Sequence, residues 1–172
     1  MKHFIIITNR PKDPDLEITR RVQELLKLRQ ASCSVYADEI PKEEWKRILL
    51  REGDRTDAIL VLGGDGTMLR AARDTADSQI PMLGINLGTL GYLTEVEKNG
   101  MEDAIDRLVA GSYQVEDRMM LCGQIYRQGR MEEENSALND ITITRCGHLR
   151  MLYFQIYVNG KLLKEYHADG II

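Results

Sequence analysis

A carboxylate set among glycines, directly after the most apolar segment of the chain, is the strongest chemical signal in the sequence. The apolar residues 58–62 run into the loop 63–67, which reads Gly-Gly-Asp-Gly-Thr. Glycines at the end of a strand allow backbone N–H groups to approach phosphate oxygens, and a following helix adds the positive end of its dipole. The pattern favours a ligand that carries phosphate. The alternative is a tight strand-to-helix turn in which Asp65 serves only as a helix cap.

Asp65 limits the reactions that this loop could support, because a carboxylate repels the phosphates that the glycines would hold. It fits this position if it faces a hydroxyl group that must lose a proton, or a Mg²⁺ ion bound to the phosphates. Two common phosphate motifs are absent from the sequence: there is no G-x-x-x-x-G-K-[ST] P-loop, and Leu69 stands where a dinucleotide fingerprint requires its third glycine. A P-loop enzyme and a typical Rossmann dehydrogenase are therefore disfavoured.

A second glycine-spaced segment, residues 84–93, reads Gly-Ile-Asn-Leu-Gly-Thr-Leu-Gly-Tyr-Leu. It begins at the end of a predicted strand. Asn86 and Tyr92 are the side chains in it that could contact a base or a ribose. The alternative is a wide turn that packs Tyr92 into the core, and the residues alone leave both interpretations open.

Strand and helix patterns alternate along the first part of the chain and determine where these two loops lie. Strand patterns occupy residues 4–8, 34–36, 58–62 and 82–85, and helical patterns occupy 14–26, 41–50, 68–76 and 101–110. Asp13 is predicted to cap the first helix, with Pro14 at its first position. This alternation predicts βαβ units, and therefore a Rossmann-like α/β domain with a mostly parallel sheet over residues 1–115. In such a sheet, ligands bind beyond the carboxyl ends of the strands.

From residue 116 onward, strand patterns follow one another without helices. The candidate strands are 121–126, 137–144, 152–158 and 161–166, and the charged segment 127–135 is predicted to be a loop. Asn159-Gly160 predicts a hairpin, because both turn residues must accept a positive φ angle. We expect residues 116–172 to be the start of an all-β domain that is truncated at Ile172, since so few strands would leave their edges exposed.

The composition excludes several classes of protein. The 172 residues carry 23 Lys and Arg against 27 Asp and Glu, a formal net charge of −4, so there is no basic surplus to neutralise nucleic acid. No apolar run approaches the roughly 20 residues of a membrane span. Cys33, Cys122 and Cys146 form neither a metal nor a disulfide spacing. We expect a cytoplasmic protein that binds neither nucleic acid nor membrane, with His3 and His148 at its surface.

The ordered segments 63–67, 83–95, 137–141 and 168–172 resemble the signature blocks of the NAD kinases. The first block alone is not specific, because lipid kinases of the diacylglycerol and sphingosine type and phosphofructokinases have similar Gly-Gly-Asp-Gly loops. The combination with the segment 84–93 and with the pair Asn139-Asp140 is much more specific.

The resemblance implies both a reaction and its residues. NAD kinases transfer the γ-phosphoryl group of ATP, or polyphosphate in some members, to the 2′-hydroxyl of the adenosine ribose of NAD, forming NADP. It implies that Asp65 accepts the proton, that Mg²⁺ neutralises the triphosphate, and that the full-length protein is a homo-oligomer, either a dimer or a tetramer. The residues implied to bind NAD or the phosphates are Gly63, Gly64, Asp65, Gly66, Thr67, Asn86, Tyr92, Asn139, Asp140, Arg150, His167 and Asp169.

Several positions depart from the family's pattern. Asp140 stands where Glu is commoner, Arg150 where His is frequent, and His167 where Arg or Lys is frequent. From the residues alone, Asn139-Asp140 would be a turn and His167 a structural or surface residue. The family's Thr-Pro-Thr-Gly-Ser-Thr-Ala-Tyr block follows directly after the segment 168–172, and this sequence ends before it. We therefore expect the 172-residue chain by itself to be inactive.

Two competing hypotheses remain open at this stage. The first is a lipid or sugar kinase that shares the Gly-Gly-Asp-Gly loop; the lack of a basic amphipathic segment and the pair Asn139-Asp140 count against it. The second is a chain without enzymatic activity, which folds through its α/β domain and binds nucleotide weakly or not at all.

Overall fold

A computed structural model describes residues 2–89, 91–147 and 151–172 of the chain. The chain divides into two units, Met1–Arg118 and Met119–Ile172. The first unit contains a parallel sheet with helices, and the second contains antiparallel strand pairs. The predicted fold class, an α/β region followed by β-structure, is confirmed.

One five-stranded sheet organises the first unit. Its strands lie in the order β2-β1-β3-β4-β5, and each neighbouring pair is parallel. The connections from β1 therefore lead to β2 on one side and, later, to β3 on the other, which makes the β1/β3 boundary the topological switch point. The strands are β1 (His3–Thr8), β2 (Ser32–Tyr36), β3 (Ala58–Gly63), β4 (Met82–Asn86) and β5 (Val96–Glu97).

Four helices cover the two faces of this sheet: α1 (Glu17–Leu28), α2 (Lys42–Glu52), α3 (Asp65–Thr75) and α4 (Met101–Ala110). Side chains alternate along a strand, so Phe4 and Ile6 pack with α1 and α4, while Ile5 and Ile7 pack with α2 and α3. The middle strands β1 and β3 are buried along their whole lengths. Their carboxyl ends are consequently fixed by apolar packing on both sides.

The first helix begins later than its sequence pattern predicts. It starts at Glu17 rather than Pro14, after Leu16 with a left-handed φ of 56°. Asp13 nevertheless caps it, because its carboxylate accepts hydrogen bonds from the N–H groups of Ile18 (3.2 Å) and Thr19 (2.9 Å). The left-handed turn at Leu16 lies between Asp13 and the helix that it caps, and the sequence pattern does not reveal this turn.

Two further predictions for the first unit need correction. Helix α3 begins at Asp65 rather than Met68, so the Gly-Gly-Asp-Gly-Thr segment supplies the strand end, the cap and the first helical turn. His3 is buried, with only 7% of its surface exposed, because β1 lies between two strands and Ser32 contacts the His3 Nδ1 at 2.9 Å. The short strand β5 was not predicted, and His148 lies outside the described residues.

The described residues of the second unit form three antiparallel two-stranded ribbons. The predicted Asn159-Gly160 hairpin is confirmed, with φ angles of 50° and 77°. The ribbons pair β6 (Met120–Arg127) with β7 (Arg130–Leu138), β8 (Ile143–Thr144) with β11 (Gly170–Ile171), and β9 (Leu152–Val158) with β10 (Lys161–Ala168).

The predicted loop at 127–135 is wrong, and the predicted strand at 137–144 is interrupted, since only its two ends lie in strands. Most of the charged segment belongs to β7, which pairs with β6 across a turn at Gln128 and Gly129 with φ angles of 51° and 76°. Both faces of this part of the strand are exposed. Its charged side chains therefore stay hydrated, and the strand forms without a desolvation penalty. The chain then turns at Asn139, and only Ile143–Thr144 returns to a strand.

Candidate functional site

The loops that follow β1 and β3 meet at the switch point of the sheet, which is where open α/β sheets bind ligands. The backbone N–H of Asn9 donates to the carbonyl of Leu62 (2.8 Å), and the Asn9 side-chain Nδ2 donates to the Thr67 hydroxyl (2.9 Å). The N–H of Leu87 donates to the carbonyl of Gly63 at 2.7 Å. Hydrogen bonds therefore join the carboxyl ends of β1, β3 and β4, which are neighbours in the sheet.

Gly63 and Thr67 form the tight contact at the centre of these strand ends. A methyl group at Gly63 would overlap the side chain of Thr67, so a glycine is required there. Thr67 is buried, and its hydroxyl already accepts the hydrogen bond from Asn9. In this structure, Thr67 fastens α3 to β1, and its expected contact with a phosphate stays a prediction.

The N-terminus of α3 has no side-chain cap at its N-cap residue. Gly64 is the N-cap residue, and no side chain among the described residues caps the helix. The first N–H groups of an α-helix have no partner within the helix, and together with the helix dipole they attract anions. A Cβ atom at Gly66 would meet nothing within 4 Å. The geometry at Gly64 and Gly66 therefore suits a phosphate group.

Asp65 lies in the first turn of α3, and the loop before β5 encloses its carboxylate. Oδ2 accepts the N–H of Tyr92 (2.7 Å), and Oδ1 accepts the N–H groups of Leu93 (3.1 Å) and Thr94 (3.3 Å). The Thr94 hydroxyl also donates a hydrogen bond to Oδ1 (3.3 Å). Successive N–H groups that converge on one anion form a typical anion-binding concavity.

These contacts keep Asp65 ionised. Hydrogen bonds from the backbone of Tyr92, and then of Leu93 and Thr94, outweigh the effect of desolvation and lower the pKa of the Asp65 carboxyl below its usual value. An ionised carboxylate has about four acceptor positions on its two oxygens. Among the described residues, Oδ2 accepts only from Tyr92, so this oxygen retains an acceptor position for a hydroxyl group of a ligand.

Glycines allow the loop to come this close. A methyl group at Gly91 would overlap the Asp65 carboxylate, and one at Gly84 would lie 3.0 Å from the Cα of Thr94. Thr94 is buried against β4 as a result. Gly84 and Gly91 thus allow the backbone of this loop to approach Asp65. This contact connects the two glycine-rich segments identified in the sequence.

Asn86 and Tyr92 have different roles in the loop. Asn86 is 3% exposed, and its side chain bonds the N–H of Gly88 and the carbonyl of Thr89, both at 2.8 Å. It therefore shapes the loop, and its direct contact with a ligand stays a prediction. Tyr92 is 97% exposed, so the alternative in which this ring packs into the core is excluded.

In the second unit, Asn139 and Asp140 form a turn directly after β7. Asn139 has a φ of 75°, a conformation that Asn tolerates better than most residues. The N–H of Asp140 lies 3.2 Å from the carbonyl of Leu138. Both side chains are exposed. The turn interpretation is thus correct, and it leaves both side chains accessible to a ligand.

Of the remaining predicted residues, His167 lies on β10, and Asp169 lies between β10 and β11. The His167 ring on β10 packs against the ring of Tyr153, with centroids 5.1 Å apart. Asp169 pairs with Arg145 at 3.2 Å. A methyl group at Gly170 would lie 2.6 Å from the carbonyl oxygen of Ile143, so the close pairing of β8 and β11 requires this glycine. Arg150 lies outside the described residues.

Sequence reasoning missed the residues that follow β1. Asn9 anchors Thr67, and the Nζ of Lys12 lies beside Gly64 and Gly88. The available signal was positional, because the carboxyl end of the first strand of a parallel sheet lies at the same edge as the Gly-Gly-Asp-Gly-Thr segment. Neither residue belongs to a recognisable motif, so the sequence pattern does not identify them as site residues.

In the described part of the chain, no group of three or more His, Cys, Asp or Glu side chains is arranged to hold a metal ion. None of the helices in this part has the length and apolar character needed to span a membrane.

Comparisons with known proteins agree with this geometry. The family model described as the ATP-NAD kinase N-terminal domain matches residues 4–113. The NAD kinase of Lachnospira eligens is 39% identical over 181 residues, and that of Agathobacter rectalis is 43% identical over 173 residues. Each alignment covers 100% of this chain and 60% of the relative, so the chain spans about 60% of the length of these curated relatives.

A solved structure shares the fold. The crystal structure of yeast NADH kinase complexed with NADH superimposes with a TM-score of 0.70 and 19% sequence identity. The match covers 99% of this chain and 56% of the yeast chain. At this level of identity, the likeness concerns the fold alone.

Proposed function

This chain belongs to the NAD kinase family, and from that premise we propose that the intact protein transfers a phosphoryl group from ATP, or from polyphosphate, to the 2′-hydroxyl of the adenosine ribose of NAD. The product is NADP. The observation that carries the proposal is the position of Asp65, an ionised carboxylate at the N-terminus of α3 with one acceptor position free on Oδ2.

Asp65 orients the attacking hydroxyl. Its free acceptor position receives the 2′-hydroxyl proton as a hydrogen bond, and the carboxylate takes that proton late in the reaction. A carboxyl with a lowered pKa is a weak base, but phosphoryl transfer passes through a loose transition state in which positioning and charge neutralisation matter most. The amide hydrogen bonds that lower the pKa of Asp65 also hold its oxygens in place.

The other residues proposed to bind substrate belong to both units. The backbone N–H of Tyr92 binds Asp65, and its exposed ring stacks on the adenine of NAD. Gly64, Gly66 and the N–H groups of the first turn of α3 bind donor phosphates, near Gly63 and Thr67 at the strand end. In the second unit, NAD is held by Asn139, Asp140, Arg150, His167 and Asp169, and Asn86 contributes by shaping the loop.

Mg²⁺ enters this proposal with the donor. The described residues contain no group of three or more His, Cys, Asp or Glu side chains that could hold a metal ion, and we reserve the free acceptor position on Oδ2 of Asp65 for the hydroxyl group of the substrate. We therefore propose that the ion arrives bound to the triphosphate as part of the substrate, whose negative charge it neutralises. We also propose that the intact protein is cytoplasmic and forms a homo-oligomer, either a dimer or a tetramer.

The test is an acceptor panel. The intact protein is incubated with MgATP and, in separate reactions, with NAD, NADH, diacylglycerol or fructose 6-phosphate, and phosphorylated product is measured by mass spectrometry. We expect NADP or its reduced form from the dinucleotides and no product from the lipid or the sugar. A parallel series with polyphosphate in place of ATP identifies the donor.

A product only from diacylglycerol or fructose 6-phosphate would replace the proposal with the lipid or sugar kinase alternative. No product from any acceptor, with either donor, would contradict a kinase activity. The isolated 172-residue chain is the matched comparison, and we expect it to form no NADP.

A further inference from the structure

We propose that Lys12 is a donor-binding residue, whose ammonium group contacts the phosphate oxygens of the phosphoryl donor between Gly64 and Gly88. This inference rests on the proposed function and adds to it a cationic residue on the donor side. Lys12 lies in the short 3₁₀ turn that follows β1, at the switch point of the sheet.

The position of the ammonium group is the first observation. A methyl group at Gly64 would lie 2.8 Å from the Nζ of Lys12, and one at Gly88 would lie 3.0 Å from the same atom. The side chain therefore extends over both glycine-rich loops rather than away from them. Gly64 is the N-cap of α3, so the ammonium group lies beside the helix N-terminus that already favours an anion.

The second observation is that Lys12 lacks an anionic partner. Two other cations near this edge are paired: Arg10 with Asp38 (3.4 Å), and Arg70 with Glu39. Lys12 makes no ion pair or hydrogen bond through its Nζ within the described ranges. A cation placed next to N–H donors, with no carboxylate to balance it, creates a positive local field that suits a polyanion.

An unpaired acceptor near the same turn supports this picture. The side-chain Oδ1 of Asn9 is buried and has no hydrogen-bond partner among the described residues, while its Nδ2 bonds Thr67. An amide flip would only exchange which of the two atoms is unpaired. Buried polar atoms usually have a hydrogen-bond partner. The unpaired side-chain atom of Asn9, near the carboxyl ends of β1 and β3, therefore fits a site in which a ligand or its bound water supplies the missing hydrogen bond.

The chemistry that Lys12 supplies is charge neutralisation. A lysine ammonium is a compact, flexible point charge that follows a phosphate group. The transferring phosphoryl group carries its charge on three outer oxygens, and fixed positive groups around them lower the barrier. Gly64 precedes Asp65 in the chain, so a phosphate held by Lys12 lies next to the carboxylate that orients the hydroxyl.

The experiment uses the intact protein with Lys12→Met, which removes the charge and keeps most of the side-chain volume. We expect kcat/KM for ATP to fall about 10²-fold, the scale seen when one preorganised donor to a transition state is removed. The KM for NAD should stay unchanged. Lys12→Arg retains the charge and should restore part of the loss. Lys27→Met is the matched control, because Lys27 is exposed in the last turn of α1, at the other edge of the sheet.

Binding of inorganic tripolyphosphate, measured by titration calorimetry, separates this inference from the proposed function. If tripolyphosphate binds more weakly to Lys12→Met than to Lys27→Met, Lys12 binds phosphate even if no NADP is formed. If NADP is formed and the two variants match the wild type in kcat/KM for ATP and in tripolyphosphate affinity, the inference is overturned while the proposed function stands. An equal rise in the KM values for ATP and NAD would also contradict it, because a general distortion of the site would then explain the loss.

Discussion

The two units of the chain hold their predicted functional residues in opposite ways. In the first unit, Asp65 and its neighbours follow strands that are buried along their whole lengths between two layers of helices. In the second unit, none of the described residues from 119 to 172 is fully buried. Its ribbons are held by backbone pairing and a few side-chain contacts, so the positions of Asn139, Asp140, His167 and Asp169 depend much less on packing.

Under the proposed function, this difference assigns the chemistry to the first unit and much of the dinucleotide recognition to the second. A reacting hydroxyl has to be held within fractions of an ångström, and only the packed strand ends of the first unit provide that. Residues that hold the dinucleotide tolerate adjustment, so they can lie on exposed turns and strand ends. The largest effects of substitution on turnover should therefore fall in the first unit.

The largest effect is expected from Asp65→Asn. The variant removes the charge that orients the 2′-hydroxyl and accepts its proton, and we expect kcat to fall by about 10²–10⁴-fold, the range typical of a lost acid–base group. Asp140→Asn in the second unit should raise the KM for NAD and change kcat far less. Steady-state kinetics of NADP formation by the intact protein measures both.

Asp54→Asn serves as the control for this pair, because Asp54 is exposed in the turn after α2. Equal losses of kcat in Asp65→Asn and Asp140→Asn would remove the distinction between the two units.

A pair of leucines tests the same contrast in stability. Leu60 is fully buried in β3, whereas Leu162 in β10 is 50% exposed. Leu60→Ala should lower the free energy of unfolding by about 2–5 kcal/mol, since it leaves a cavity in the core. Leu162→Ala should change it by less than about 0.5 kcal/mol. Urea unfolding of the intact protein measures both values, and a large cost for Leu162→Ala would show that the face of β10 is packed.

Gly91→Ala tests the contact between the loop and Asp65. Because the added methyl group overlaps the carboxylate, the loop or Asp65 must move, and we expect kcat to fall by roughly 10²-fold, the cost of a displacement of about 1 Å. In Gly100→Ala the nearest atom is 3.9 Å away, so this control should keep the wild-type kcat. An unchanged kcat in Gly91→Ala would mean that the hydrogen bonds from Tyr92 to Thr94 are not needed for turnover.

Glu52 gives the smallest effect, which depends on pH. Burial disfavours its charged form, but hydrogen bonds from Ser34, Arg51, Tyr36 and His3 prevail and lower the pKa of Glu52 from 4.5 to about 2. A lowered pKa stabilises the fold above the unfolded value, and this contribution disappears as the pH falls from 4.5 towards 2. Glu52→Gln should therefore cost on the order of 2 kcal/mol at pH 7.

The cost of Glu52→Gln should shrink steadily below pH 4.5, which unfolding curves at several pH values measure. A cost that stays constant down to pH 2.5 would show that the Glu52 charge does not stabilise the first unit.

Most of the first unit could be predicted from its sequence, because burial imposes clear patterns. Four of its five strands and all four helices follow from apolar periodicity. The start of α1 was wrong because Asp13 caps it across a left-handed turn at Leu16. The buried His3 was also missed, since its Ser32 and Glu52 partners are far away in the chain.

The second unit was harder to predict, for a physical reason. Where a strand has no buried face, its side chains need not alternate, so the acidic segment 132–134 gave no strand signal although it lies within β7. The Asn159-Gly160 turn was found because Asn-Gly strongly favours positive φ angles. The turn at Gln128-Gly129 has the same backbone form without the typical first residue.

In the candidate site, the sequence identified the motif residues but not the contacts that they make. The sequence indicates Asp65 and the glycines around it, yet it does not show that the N–H groups of 92–94 bind this carboxylate. Nor does it show that Asn86 bonds its own loop, or that Lys12 lies over Gly64. Such contacts depend on how three strand ends meet, which no single segment encodes.

A crystal structure of the intact protein with NAD bound tests the proposed role of Asp65 most directly. The account predicts that the 2′-oxygen of the adenosine ribose lies within hydrogen-bond distance of Oδ2 of Asp65, about 2.5–3.0 Å, with Oδ1 still bound by the N–H groups of Leu93 and Thr94. An adenosine ribose bound elsewhere, with its 2′-oxygen too far from Asp65 even for a bridging water, would contradict the account.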